Sequence, residues 1–529
     1  MTSNKPKKEE EIIKIKDYPL VEINFSPKIP VFKKIKDKTN VNMRYCLISP
    51  FAFVHIYWDS KKYELIYEIE EPELTKSEED IRKKIIYAMR NIINFDSIIE
   101  QEDKKILDYI DSRFKFLAIE LGYNVSYESY EKIYYYLCRD FMGFNKVEPL
   151  LRDFYVEDIE CNGINTPIYI VHRTYRNMMT NVIFKKEEDL ANFVEKLAQK
   201  SGKYVSYANP ILDGSLPDGS RVNATYTKDI TSRGPTFTIR KFTKVPWTPI
   251  KLLSFQTLSP EMLAYLWLLV QYKMSILIAG GTSSGKTTLL NALAFFIPSE
   301  ARIVSIEDTR EINLSRENWL PSVARVSTGT EKVGEIDLFT LLRSSFRQNP
   351  DYVIVGEVRG KEAYVLFQGM ASGHPSVSTL HADSVETVIK RLETPPIELS
   401  PTLLNVLDCI CIMTHALVDK QETRKLREVT EIINVTNEGE AVTNTPYIWN
   451  SSDDNFYFKK NSKIFEKISQ RYGVSLNELD LEFKNRVKLI YNIYNKKIFK
   501  FEEVQKIIHE YYKRPEEVLK RFGVINKNI

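Results

Sequence analysis

"SILIAGGTSSGKTTLLNALAFF", residues Ser275–Phe296, decides the fold. Ile276, Leu277 and Ile278 form a short apolar run that suits a buried strand. Gly280 and Gly285 then bracket four residues, and Lys286 and Thr287 open an apolar-faced run that reads as a helix. Strand, GxxxxGK[ST] and helix in that order make a phosphate-binding loop. The glycines let backbone N–H groups converge on phosphate oxygens, and the positive end of the following helix faces the same point. Lys286 is expected to reach the β- and γ-phosphates, and the Thr287 hydroxyl to hold magnesium. The binding residues expected here are Gly280, Gly281, Thr282, Ser283, Ser284, Gly285, Lys286, Thr287 and Thr288, with ATP and magnesium as the ligands.

Hydrolysis needs more than binding: a group must orient or deprotonate water, and positive charge must meet the leaving phosphates. "ARIVSIEDTREI" ends an apolar run in Glu307 and Asp308, with Glu311 beyond, and "PDYVIVGEVRG" ends another in Glu357. Carboxylates at strand ends face the crevice where parallel sheets bind ligands. Asp308 and Glu311 also suit a solvated loop, and Asp351 precedes its strand, at the far end. Between about Ser259 and Val435 helices alternate with short apolar runs, which implies a mostly parallel, helix-covered sheet.

The bulk composition sets limits. The 529 residues suit three or four domains. A net charge of +3, from 74 basic and 71 acidic residues, argues against a surface-wide nucleic-acid footprint. "KPKK" at Lys5–Lys8 and "VFKKIKDK" at Val31–Lys38 are mildly basic and read as a solvated arm. Five cysteines with no CxxC pair argue against a disulfide framework or a structural zinc site, and Cys409 and Cys411 alternate as strand residues do. The most apolar stretch is interrupted by Gln271 and Lys273, short of the ~20 apolar residues of a membrane span. A cytoplasmic protein with peripheral membrane contact is expected.

The order "GGTSSGKTT", "IEDTRE", "NPDYVIVGEVRG", "ASGHPSVSTLHAD" resembles the secretion-superfamily ATPases of type II secretion, type IV pili, type IV secretion and archaeal surface filaments. These segments look like that family's Walker A, Asp box, atypical Walker B and His box. "LPDGSRVNAT" and "GPTFTIRKF" resemble its arginine-bearing N-terminal strands. "YCLISPFAFVHIYWD", "VIKRLETPPI", "REVTEIINV" and the helical tail resemble the archaeal branch, the archaellum-motor and pilus-assembly ATPases.

The resemblance implies an α/β fold with a RecA-like P-loop ATPase domain, a PAS-like α/β domain before it, and N-terminal α+β and C-terminal helical extensions. The expected divisions are a flexible arm at 1–38, an α+β partner-binding region at 39–140, the PAS-like lobe at 141–243, a linker at 244–257, the RecA-like lobe at 258–440 and a helical region at 441–529. ATP would lie between the lobes of a homo-hexamer. By matching position Glu307 is the general base, Glu357 supports magnesium through water, and Arg221 and Arg240 reach the nucleotide. Arg310 and Arg359 are weaker candidates. The expected partner is an integral membrane platform protein, with accessory cytoplasmic motor proteins and no nucleic acid. A DNA-transfer ATPase and a nucleotide-gated ring with little hydrolysis are the alternatives.

Two of the six histidines, His374 and His381, lie seven apart in "ASGHPSVSTLHAD". Pro375 makes one shared helical face improbable. His381 ends a strand beside the expected γ-phosphate, where an imidazole can sense that charge. His374 is assigned to the nucleotide site as a residue tying its loop to the neighbouring lobe.

Overall fold

The computed structural model describes residues 15–30, 35, 37–92, 103–242, 245–325, 334–418, 421–436, 440–459 and 461–525. The basic run at Lys5–Lys8 and most of Val31–Lys38 lie outside them. The chain divides into two compact units, Met1–Lys241 and Phe242–Ile529.

The first unit opens with strands β1 (Asn42–Ile48), β2 (Ala52–Asp59) and β3 (Glu64–Glu70), then helices α1 (Lys76–Ile92), α2 (Asp103–Glu120), α3 (Tyr127–Phe141) and α4 (Glu148–Arg152). β4 (Val156–Cys161), β5 (Pro167–His172), β6 (Arg176–Ile183), α5 (Glu187–Lys200), β7 (Ile211–Ser215), β8 (Arg221–Thr225) and β9 (Thr236–Arg240) complete it. The nine strands make one sheet, ordered β1-β2-β3-β6-β5-β4-β9-β8-β7. Every pairing is antiparallel except β3 with β6, so the strands expected over 39–140 and over 141–243 share one sheet. Asp153, fully buried, helps to join them: its carboxylate accepts from Tyr45 Oη of β1 and Tyr67 Oη of β3, both at 2.6 Å. In α5, Leu190, Phe193, Val194, Leu197 and Ala198 recur at helical spacing and are buried, with Glu187, Glu188 and Asp189 at the positive N-terminal end.

The second unit runs through α6 (Pro249–Ser254), α7 (Pro260–Gln271), β10 (Ile276–Gly280), α8 (Lys286–Ala294), β11 (Ile303–Glu307), β12 (Trp319–Val323), α9 (Leu338–Ser345), β13 (Tyr352–Val355), α10 (Glu362–Ala371), β14 (Ser376–Leu380), α11 (Val385–Glu393) and α12 (Pro401–Leu404). β15 (Cys409–Val418), β16 (Gln421–Val435), β17 (Ala441–Asn450), β18 (Asn455–Phe458) and helices α13 (Lys463–Tyr472), α14 (Leu476–Asn495), α15 (Phe501–Lys513) and α16 (Pro515–Arg521) follow. The sheet order is β12-β11-β13-β14-β10-β15-β16-β17-β18. Strands β12 to β15 in that order are parallel, and β15 to β18 continue antiparallel. β10, β11, β13 and β14 are buried throughout, as strands covered on both faces must be. Ile276 and Ile278 face one apolar core with α7, α8 and the C-terminal helices, while Leu277 and Ala279 face the other with α9, α10 and α11.

Two stretches differ from the sequence reading. Pro249 opens α6 under a Thr248 N-cap, and Ile250, Leu252 and Leu253 are buried, so the stretch expected as a linker carries a packed helix. Residues 441–458, expected in the helical region, form β17 and β18, and the helices begin at Lys463. Alternate β17 residues Tyr447 and Trp449 pack inward, and this apolar signal is diluted by Asn, Thr and Pro neighbours. A capping box opens α14, as Ser475 and Glu478 three residues apart predict: Ser475 Oγ accepts from Glu478 N, and Glu478 accepts from Ser475 N.

The C-terminal helices dock on the core. Arg486 of α14, 1 % exposed, lies 4.6 Å over the Trp267 ring of α7 and pairs with Glu482 at 2.8 Å. Glu431 of β16, fully buried, accepts from Tyr265 Oη and Asn444 Nδ2 at 2.6 Å and from Lys463 N at 2.8 Å. It thereby joins α7, β17 and the N-terminus of α13.

Candidate active site

The loop between β10 and α8 can form only with unusual backbone. Gly280 has φ +159°, and a Cβ there would lie 2.4 Å from Met413 O. Gly285 has φ +97°, a left-handed conformation favoured by glycine. Ser284 Oγ donates to Gly281 O at 2.9 Å and holds the turn closed. Lys286, the first residue of α8, is buried and donates from Nζ to Gly280 O at 3.0 Å and Gly281 O at 2.9 Å. Thr282 and Ser283 are exposed, and Thr287 and Thr288 are half-buried on the first turn of α8.

Three neighbouring strand ends bring the other groups together. His381 follows β14, and its Nδ1 lies 3.3 Å from Lys286 Nζ while its Nε2 lies 2.8 Å from Glu357 Oε1. An ammonium has no acceptor, so Nδ1 accepts from Lys286 and the ring proton sits on Nε2, in close contact with Glu357 Oε1, which is buried without a hydrogen-bond partner. Burial and then the Lys286 charge hold the imidazole below its ordinary pKa, with Glu357 opposing. Glu357 also pairs with Arg359, whose guanidinium extends to Asp308 at 3.8 Å.

Glu307 ends β11 and is 1 % exposed. Its Oε1 accepts from Glu311 N and Ile312 N, both at 2.8 Å, and its Oε2 is buried with no hydrogen-bond partner. Burial pushes its pKa up to about 7 against the two N–H bonds. Such a carboxyl is poised between acid and base near neutrality. An unpartnered buried oxygen at this strand end suits a water molecule. The Thr287 hydroxyl and carboxylates at the strand ends are hard oxygen donors of the kind magnesium takes.

The remaining sequence candidates are placed differently. His374 is not brought to the loop: it precedes β14, at the strand end opposite His381, with its ring 5.1 Å from that of Phe346. Its Nδ1 is buried without a hydrogen-bond partner. Arg310 lies over the Trp319 ring at 5.6 Å. Arg221 and Arg240 belong to the first unit, where they stand directly opposite each other on β8 and β9. Adjacent like charges repel. Asp213 at 3.4 Å and Asp158 at 4.0 Å offset part of that cost, and both guanidinium groups stay substantially exposed.

Sequence reasoning missed two contributors. Asn291, buried on α8, donates to Thr287 O at 3.1 Å and Glu311 O at 3.3 Å and accepts from Asn313 N at 3.1 Å, so it fixes the loop after Glu307 to α8. A lone polar residue in "LLNALAFF" was its available signal. Arg424 of β16 lies over Gly285, its Cδ 3.5 Å from where a Cβ would stand, and no local pattern announces that contact.

Parallel strands that end in a phosphate loop, a buried carboxylate with one unpartnered oxygen and a histidine–carboxylate pair define a P-loop nucleotide-binding α/β protein. A family model described as "Type II/IV secretion system protein" matches residues 143–445, and the chain belongs to that family. It is 33 % identical over 513 residues to Uncharacterized protein MJ0900 of Methanocaldococcus jannaschii, covering 92 % of each chain. Over 43 % of its length it is 33 % identical to Conjugal transfer protein TrbB of Rhizobium radiobacter, covering 68 % of that protein. The VirB11 ATPase of the Brucella suis type IV secretion system is 25 % identical over 54 % of this chain and 95 % of its own, with a TM-score of 0.28.

Proposed function

We propose that the protein is a magnesium-dependent, homo-hexameric ATPase whose cycle powers assembly or rotation of a type IV pilin-like surface filament, an archaellum or archaeal pilus, or related secretion. The second unit serves as a RecA-like motor lobe and the first contains the PAS-like lobe. The observation that carries the reading is the connected set Lys286–His381–Glu357 beside the unpartnered Glu307 Oε2. Among the described residues no helix is long and apolar enough to cross a membrane. We place the motor in the cytoplasm, peripheral to the membrane, acting on an integral platform protein with accessory motor proteins.

Each group has a chemical task. Glu307 Oε2 accepts a proton from the attacking water. Lys286 exchanges its backbone acceptors for the β- and γ-phosphate oxygens. Thr287 and, through water, Glu357 would hold magnesium, which when bound neutralises phosphate charge. Arg221 and Arg240 supply guanidinium charge for the transition state. His381 senses the γ-phosphate, because its two ring nitrogens link Lys286 to Glu357 and respond when Lys286 moves. Replacing it removes the hydrogen bond from the Lys286 ammonium and the contact with the Glu357 carboxylate, so His381→Ala is expected to lower turnover about 10- to 100-fold. Steady-state phosphate release checks this, and normal turnover would remove the sensor role.

The physiological reading is tested in cells. Lys286→Ala is expected to abolish one class of surface filament in electron micrographs, and the class lost names the machine. Similarity to a conjugal transfer protein favours a second reading, secretion coupled to DNA transfer. Intact filaments with lost DNA transfer would favour it; intact filaments and intact transfer would contradict both.

A further inference from the structure

A cavity of about 730 Å³ opens between α15, α16 and the backbone at Ser315. Its walls include Lys506, His509 and Lys513 of α15. Arg521 pairs with Glu510 at 2.6 Å and Arg514 with Glu517 at 3.5 Å, leaving Glu502 as the remaining carboxylate of the lining. Lys506 and Lys513 have no ion-pair partner among the described residues, so the lining is net positive. His509 Nε2 is buried with no hydrogen-bond partner. Burial, then Arg316 and Lys513, hold that imidazole below its ordinary pKa, with Glu300 opposing. A buried polar nitrogen without a partner costs free energy that a ligand can recover. Here the charges around it select an anion.

The same walls grip the rear of α8. Gln505 Nε2 donates to Ser315 O at 3.0 Å. The next residue, Arg316, donates to Pro298 O at 2.6 Å, Ala294 O at 3.2 Å and Phe295 O at 3.3 Å, capping the carbonyl end of α8. Tyr512 Oη donates to Phe296 O and accepts from Trp267 Nε1 at 2.8 Å. The Phe501 and Phe295 rings meet at 4.8 Å. α8 is one rigid element, about 14 Å long, with Lys286 and Thr287 at its other end.

We propose that this cavity is a second anion site: it takes a phosphate group, inorganic phosphate or a small phosphate monoester, between His509 Nε2 and Lys513, and its occupancy is passed through Arg316 and Tyr512 along α8 to the phosphate loop. A bound phosphate adds negative charge beside His509, so it raises the imidazole pKa and takes up a proton. Affinity therefore strengthens as pH falls toward that pKa.

The test uses the full chain with labelled histidine side chains and Lys286→Ala, which silences the phosphate loop. His509 is assigned by loss of its signal in His509→Gln. Inorganic phosphate or glycerol phosphate is expected to shift that signal saturably and to raise its pKa by about one unit. Adding Lys513→Ala is expected to weaken binding at least about tenfold. Response to only one of the two probes assigns the site to that source. No response to either, or an equal response in Lys513→Ala, overturns the site. Because hydrolysis is not read, this outcome is independent of the motor reading. Coupling is read separately: in the chain with Lys286 intact, glycerol phosphate is expected to change nucleotide affinity about fivefold, and not in Lys513→Ala. Unchanged affinity overturns the route through α8.

Discussion

Glu307→Gln is expected to reduce ATP turnover by about 10²- to 10⁴-fold while nucleotide affinity changes by no more than about threefold. The amide keeps the shape and can still accept from Glu311 N and Ile312 N, the two contacts that fix the side chain at the end of β11. What it loses is a basic oxygen, because it cannot take a proton from water. The contrast between binding and turnover separates this role from a structural one: a misfolded site would lose both. The pH dependence gives a second signature. The base must be ionised, and burial pushes its pKa up to about 7. In the native protein kcat/KM should therefore rise with pH and reach half its plateau near 7, at saturating magnesium, where the nucleotide itself titrates lower. A flat profile across neutrality, or Glu307→Gln turnover within a few-fold of the native rate, would remove Glu307 from the chemistry.

The second large effect is on stability. Glu431→Ala is expected to destabilise the second unit by about 3–5 kcal/mol in denaturant unfolding. The carboxylate is fully buried and accepts from Tyr265 Oη, Asn444 Nδ2 and Lys463 N. Truncation leaves Lys463 N without its acceptor, removes the shortest bonds of Tyr265 Oη and Asn444 Nδ2, and frees the start of α13, which caps the C-terminal helices onto the core. Glu431→Gln keeps one acceptor oxygen and should cost less than half as much. A change below about 0.5 kcal/mol for Glu431→Ala would show that the network contributes little beyond packing.

Local chemistry was the legible part of this sequence. Gly280, Gly285, Lys286 and Thr287 lie within eight residues, and the loop they build is a short-range structure with a fixed order of strand, turn and helix. Glu307, Glu357 and His381 were legible for a related reason: an apolar run that stops at a polar residue marks a strand end, and parallel strands align those ends on one edge. The Ser475–Glu478 box is equally local. Contacts across long sequence separations were not legible. β3 pairs with β6 across more than a hundred residues, so nothing near Tyr67 indicates that the N-terminal strands extend the neighbouring sheet. Arg424 reaches Gly285 only because β15 and β16 fold back as a hairpin beside β10. His374 shows the reverse hazard. Seven residues separate it from His381, but β14 lies between them and carries the two imidazoles to opposite ends of the sheet.

The central claim is that one loop and three strand ends in the second unit form a working ATPase centre. Phosphate release by the purified full chain, measured with magnesium and again with the metal chelated, for the native protein and for Lys286→Ala, tests it most directly. Sustained magnesium-dependent release by the native chain, falling at least about a hundredfold in Lys286→Ala, is the predicted result. Equal release by the two proteins, or native release that persists without magnesium, would contradict the account.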